Sequence, residues 1–310
     1  MTCYSADRDG MAQVDRDSTS CFNLNKLLNL LSRATSYVFP KRIGSFKLYS
    51  DYLKGKNGLE IGGPSNIFKG IGLIPVYRVI SNLDGCNFNE NTVWEGHITE
   101  GQDKYLYQRG KRKGYQYVKD AVDLSGIGNE QYDFLLSSHA VEHIANPLKA
   151  ISEWLRVLKA GGVLLMVVPH KDGTFDHKRP VTQLQHLIDD YDRSTTEDDR
   201  THFDEIMELH DLGLDPAAGD MTSFRRRSMK NYDNRCFHHH VFDTNLVIQT
   251  VDYFRLQILD IQLGLPYHIV VLARKASSYE DVSNSLFLSG EANYKHHSPF
   301  QTDRNAGEQT

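Results

Sequence analysis

"YDFLLSSHAVEHIANPLKAISEWLRVLKAGGVLLMVVP", residues 132–169, reads as a strand, a helix and a second strand in close succession. "YDFLLSS" (132–138) is a short apolar run that ends in two serines and meets a histidine. Pro147 suits a first helical turn, where its missing N–H removes no bond. Leu148, Ile151, Trp154, Leu155 and Leu158 then recur at helical spacing and form one apolar stripe. Gly161 and Gly162 are expected to end that helix, and "VLLMVVP" (163–169) is apolar throughout, as a strand covered on both faces must be.

The same alternation extends back to residue 58. "GLEIGG" (58–63) supplies a strand and its turn, "YRVISNLD" (77–84) a second strand ending near Asp84, and "YQYVKDAVDL" (115–124) a third ending near Asp120. Beyond the centre, "YFRLQILDIQL" (253–263) and "YHIVVLARK" (267–275) are strand-like runs separated by Gly264 and Pro266, a spacing that suits an antiparallel hairpin. Strands alternating with helical stretches imply an α/β fold: a doubly wound, Rossmann-like parallel sheet with an antiparallel final hairpin.

Residues 169–243 break this rhythm with His, Asp and Arg, running from the acidic "DDYDRSTTEDDR" to the basic "RRRSMK". The expected organisation is an extension over 1–55, a main domain over 56–275 with a cap inserted at about 170–250, and a disordered polar tail over 276–310. Within the extension, residues 22–38 carry an amphipathic helical pattern that serves either as a lid or as a homodimer contact.

The 310 residues are 40% apolar and 24% charged, which is globular composition, and the net charge of −5 argues against a general nucleic-acid binder. Cys3, Cys21, Cys86 and Cys236 form no CxxC pair, so free thiols in a reducing compartment are expected, and no metal. Asp7, Asp9, Asp15 and Asp17 occupy the N-terminus in place of a secretory pattern, and no apolar run approaches the roughly 20 residues that span a bilayer. A cytoplasmic protein without a membrane partner is expected.

Ligands of open α/β sheets bind beyond the carboxyl ends of the strands, and the glycine pair Gly62–Gly63 lets the backbone approach such a ligand. Asp84 follows at roughly the 20-residue interval at which an acid takes a ribose, and Asp120 can accept from an adenine amine. A nicotinamide cofactor would need GxGxxG facing its pyrophosphate, whereas Pro64, Ser65 and Asn66 stand in this turn. A ligand without phosphates makes no such demand.

Residues 132–169, together with "LEIGGPS" (59–65), resemble class I S-adenosylmethionine-dependent methyltransferases. The resemblance covers residues 58–170, and the closing hairpin matches the sixth and seventh strands of the family's seven-stranded sheet. It implies that Glu60, Gly62 and Gly63 hold the methionine end, Asp84 the ribose, and Asp120 with Ala121 the adenine, with Asp123 competing for that last role. Ser138 and His139 would line the pocket beside the methyl group. Pro64 and Asn66 depart from the family's later glycines.

Methyl transfer to a hydroxyl gains from a general base, and histidine suits that task near neutral pH. His139 and His143 follow the fourth strand, Asp176 and His177 follow the fifth, and His240 lies in "CFHHHVFD" (236–243); these are the candidate catalytic groups. Trp94, Arg179, His238 and His239 are the candidate acceptor contacts, with Arg179 suited to an anion. The polar lining points to a small hydroxylated metabolite or sugar. Methylation of nitrogen or sulfur in an amino-acid-like metabolite, nicotinamide-dependent oxidation and non-catalytic cofactor binding are the alternatives.

Overall fold

A computed structural model of the protein describes residues 42–108, 112–277, 282–289 and 291–305, so the helical pattern at 22–38 lies outside the described residues. The described residues fall in one unit that starts at Arg42. Besides a two-stranded ribbon of Asn91–Thr92 and Gly96–His97, its strands are β1 (Asn57–Ile61), β2 (Asn82–Asn87), β3 (Gly101–Gln108), β4 (Arg112–Val118), β5 (Tyr132–Ser138), β6 (Leu158–Pro169), β7 (Leu256–Gly264) and β8 (His268–Lys275). They form one sheet of 8 strands in the order β3-β4-β2-β1-β5-β6-β8-β7.

The five strands from β4 to β6 pair in parallel, and the closing hairpin is antiparallel as expected. The expectation of seven strands misses β3, which pairs antiparallel with β4 along the edge. Glycine makes room for it: a Cβ on Gly85 of β2 would stand 2.1 Å from the ring of Tyr105. Tyr105 thereby crosses over β2 and reaches β1.

Alternate residues of the central strands serve opposite faces, as the pleat requires. Leu135, Leu164 and Met166 join one apolar cluster; Phe134, Leu136, Val163 and Leu165 join the other. Helix α1 (Phe46–Leu53) covers the second face through Tyr49 and Leu53. Helix α2 (Pro147–Val157) covers the first, capped by Asn146, whose side chain accepts from the Lys149 N–H. Its Trp154 is fully buried and donates Nε1–H to the Ala121 carbonyl at 3.1 Å.

This helix stops at Val157, before the glycine pair that was expected to end it. Gly161, at φ +74°, lies inside the long strand β6 instead. The register shifts between the Tyr132–Leu158 and Phe134–Val163 pairs, so the glycines absorb a bulge rather than cap a helix.

The cap carries α3 (Leu184–Arg193), α4 (Phe203–Leu209), α5 (Met221–Ser228) and α6 (Asn231–Asn234), around a small core of Ile206, Ala218, Phe224 and Phe237. It ends earlier than expected. Helix α7 (Thr244–Tyr253) packs Leu246, Val247, Ile248 and Val251 into the main core, and Asp243 caps it by accepting from the Leu246 N–H.

The expected disorder of 276–310 is corrected for residues 282–289 and 291–305, which include the short helices Ser285–Leu288, Asn293–His297 and Gln301–Asn305. Phe300 stacks on His170 at 4.0 Å, and buried Asp303 bonds His170, Ser298 and Thr244. Polar tail residues dock through specific buried bonds that composition does not reveal. Among the described residues, no helix is long and apolar enough to cross a membrane.

Candidate active site

A cavity of about 720 Å³ opens where β1, β2, β4 and β5 end, lined in part by Gly62, Asn87, Asp120, Ala121, Ser138 and His139. Gly62 adopts φ +76°, and a Cβ there would meet Ala140 at 3.3 Å. Glycine thus allows the turn after β1 to close on the loop after β5.

Glu60 does not line this cavity. Its buried carboxylate accepts from Tyr77 Oη at 2.5 Å, Tyr105 Oη at 2.6 Å and the Ser65 N–H at 3.0 Å. Burial raises its carboxyl above the ordinary range, even with these donors opposing the shift. Gly63 packs over the same carboxylate, where a Cβ would come within 2.2 Å of it. Glu60 and Gly63, expected to touch a ligand, lie behind the turn of Gly62, Pro64 and Ser65 that lines the cavity and fix its shape.

Strand β2 runs three residues past the Asp84 terminus read from the sequence. Asp84 is therefore mid-strand, where it accepts from the Tyr115 N–H and from Tyr132 Oη, both at 2.8 Å. Asn87 occupies the carboxyl end. It donates to the Gly63 carbonyl at 3.0 Å and accepts from Trp94 Nε1 at 3.2 Å. Trp94 and Glu95 reach the cavity from the following loop, and burial raises the Glu95 carboxyl while Lys69 opposes the shift.

Beyond β4, Asp120 and Ala121 line the cavity as expected, and Asp120 accepts from Arg235 Nη2 at 2.9 Å. Asp123 is turned to solvent, where hydrogen bonds from Ser125 hold its carboxyl low. Asn87, Glu95 and Arg235 were not singled out in the sequence. Arg235 in particular comes from the cap, and no local spacing signals it.

Four imidazoles gather beyond β5. His139 sits at φ +52°, its Nε2 is 3.0 Å from Nδ1 of His268, and its Nδ1 lies 3.6 Å from Oε1 of Glu142. His143 also lines the cavity, with Nδ1 3.1 Å from the Phe237 carbonyl. Burial pushes both His143 and His268 down to about 4. The ring of His238 meets His143 edge-on at 4.6 Å.

The remaining cap candidates lie off the cavity. Arg179 is buried and committed to Glu205, Asp176 and the carbonyls of His238 and His239, at 2.7 to 3.1 Å. Four of its five N–H groups are thereby engaged within the cap, away from the cavity. Asp176 is bonded to both Arg179 and His238; burial opposes ionisation, but those cations hold its carboxyl at about 2, too weak for a general base. His177 pairs with Asp211 at 2.9 Å, His239 with Asn231 at 3.1 Å and His240 with Asp190 at 3.0 Å. The three consecutive histidines radiate to three different partners, so only His238 approaches the cavity wall.

Residues 81–166 match the family described as Methyltransferase domain. Among solved structures, the chain is similar to a SAM-dependent methyltransferase from Methanosarcina mazei, at 17% identity and TM-score 0.40 over 74% of this chain and 97% of that one. A SAM-dependent methyltransferase from Aquifex aeolicus gives 10% identity and TM-score 0.39 over 74% and 88%. The 1,6-didemethyltoxoflavin-N1-methyltransferase of Burkholderia thailandensis, with its substrate and S-adenosylhomocysteine bound, gives 10% and 0.41 over 88% and 95%. No curated relative matches the sequence. The matched residues run from the start of β2 into β6 and include the strand ends that carry Asn87, Asp120 and His139.

Proposed function

We propose that the protein methylates a hydroxyl group of a small polar metabolite, with His139 as the general base. The observation that carries this reading is the position of His139 at the carboxyl end of β5, lining the cavity and held between His268 and Glu142. S-adenosylmethionine, when bound, supplies a methyl group on a positively charged sulfur. The Gly62 turn holds its methionine end, Asn87 and Glu95 its ribose, and Asp120 with Ala121 its adenine.

The cavity fits a group of this kind because each of these residues lines it and none needs a phosphate. Arg235 closes the adenine side through Asp120. His139 takes the proton that the acceptor hydroxyl loses, and Glu142 stabilises the resulting imidazolium. Positioning by the cavity supplies the larger share of the rate, on the order of 7–11 kcal/mol in well-oriented reactions. The acceptor is a hydroxylated metabolite or sugar, and the setting is cytoplasmic.

The test is transfer of a labelled methyl group from S-adenosylmethionine to a panel of sugars, hydroxy acids, amines and thioethers. O-methylation is expected, with His139→Asn lowering kcat by about 10²–10⁴-fold while S-adenosylhomocysteine still binds. Methylation of an amine or thioether at a rate unmoved by His139→Asn would overturn the reading.

A further inference from the structure

Glu142, His143 and His238 bring one donor atom each to within 4.8 Å of one another. All three are set up as ligands to an ion are. His143 turns Nδ1 to the Phe237 carbonyl at 3.1 Å, and His238 turns Nδ1 to the Asp176 carboxylate. Each ring is thereby fixed, with Nε2 left for the shared space; metal-binding histidines are oriented in this way by a carbonyl or carboxylate behind them. Asp176 is anchored in turn by Arg179.

Glu142 supplies the independent observation. It is 1% exposed, and its Oε2 has no hydrogen-bond partner among the described residues. Its Oε1 lies 3.9 Å from Nε2 of His143. A buried, half-satisfied carboxylate is costly unless something cationic completes it.

We propose that Glu142, His143 and His238 bind a divalent first-row transition ion at the floor of the acceptor cavity. Two imidazoles and one carboxylate suit such ions, and three protein ligands leave positions for substrate or water. Because His143 lines the cavity, those positions face the acceptor. Resting on the function proposed above, the inference makes the acceptor a molecule with two adjacent oxygens that chelate the ion. His139 stays outside the coordination set as the base. This departs from the expectation of no metal drawn from the sequence.

A second cluster, His186, His202 and His240, has less in its favour. Nε2 of His186 and Nε2 of His202 already face each other at 3.0 Å in a hydrogen bond, and His240 Nδ1 has no orienting partner among the described residues.

The experiment uses the full chain after chelator treatment. Zn²⁺ is titrated by calorimetry and Co²⁺ by visible absorption, each beside a titration with S-adenosylhomocysteine. One equivalent of metal is expected, weakened at least tenfold by Glu142→Gln, His143→Gln and His238→Asn, and unchanged by His186→Asn. Metal binding that is absent from the wild type, indifferent to all three ligand variants, or abolished by His186→Asn overturns the inference. S-adenosylhomocysteine binding separates the two claims: its presence without metal sinks only the ion, and its absence from the wild type sinks the methyltransferase reading.

Discussion

Arg235 and Asp120 join the cap to the cavity across a 2.9 Å hydrogen bond between residues far apart in the chain. Arg235 also pairs with Glu197 at 2.7 Å and lies over Phe88, with 5.0 Å from its guanidinium carbon to the ring centroid. One side chain thus ties three segments to the adenine side. Arg235→Gln is expected to weaken S-adenosylhomocysteine binding about tenfold, or about 1.4 kcal/mol, measured by calorimetry. An unchanged Kd would mean that the cap does not shape the cofactor site.

The Glu60 latch predicts a larger effect on stability. Glu60→Ala strands the O–H donors of Tyr77 and Tyr105 in the interior and leaves the Ser65 N–H with Tyr77 Oη alone, at 2.9 Å. The expected loss is about 2–6 kcal/mol, at about 1–3 kcal/mol for each neutral donor left unpaired in the interior. Urea unfolding measures it. Tyr105→Phe should cost less, because the other two donors remain.

Acid should weaken the cap through His202. His202 is pushed down to about 4 by burial, then by the neighbouring His240, His186, Arg179 and His239. Between its ordinary value of about 6.5 and its folded value of about 4, the unfolded chain binds a proton that the folded chain refuses. His202 therefore lowers stability as pH falls through that window, with no further change below it. Urea midpoints from pH 7 to pH 4 should fall less steeply in His202→Gln than in the wild type. Parallel curves would contradict this.

Docking of the tail through Asp303 has its own consequence. Asp303→Ala leaves His170, Thr244 and Ser298 without a shared partner and is expected to destabilise the protein by about 3 kcal/mol. Hydrogen exchange should then rise across residues 291–305 and at the start of α7. A change confined to the tail would show that it rests on the surface without supporting the domain.

Much of the sheet was legible because periodicity and turn residues are local. The run from Tyr132 to Pro169 declares two strands and a helix within one window, and the Gly62 turn marks where the cavity opens. What stayed hidden depends on distant partners. Asp84 reads as a strand end, yet β2 runs on through Gly85, where the missing Cβ makes room for the ring of Tyr105 from an edge strand. The tract His238, His239 and His240 looked like one site, but Asp176, Asn231 and Asp190 pull the rings apart. Glu142 passed unnoticed between two histidines because only burial makes its carboxylate unusual.

The most direct measurement is calorimetric titration of the ligand-free full chain with S-adenosylhomocysteine and with NAD, repeated on Gly62→Val. The account predicts saturable binding of S-adenosylhomocysteine alone, lost in Gly62→Val because the turn at φ +76° cannot accept a branched side chain beside Ala140. Binding of NAD in place of the sulfur nucleoside would contradict it.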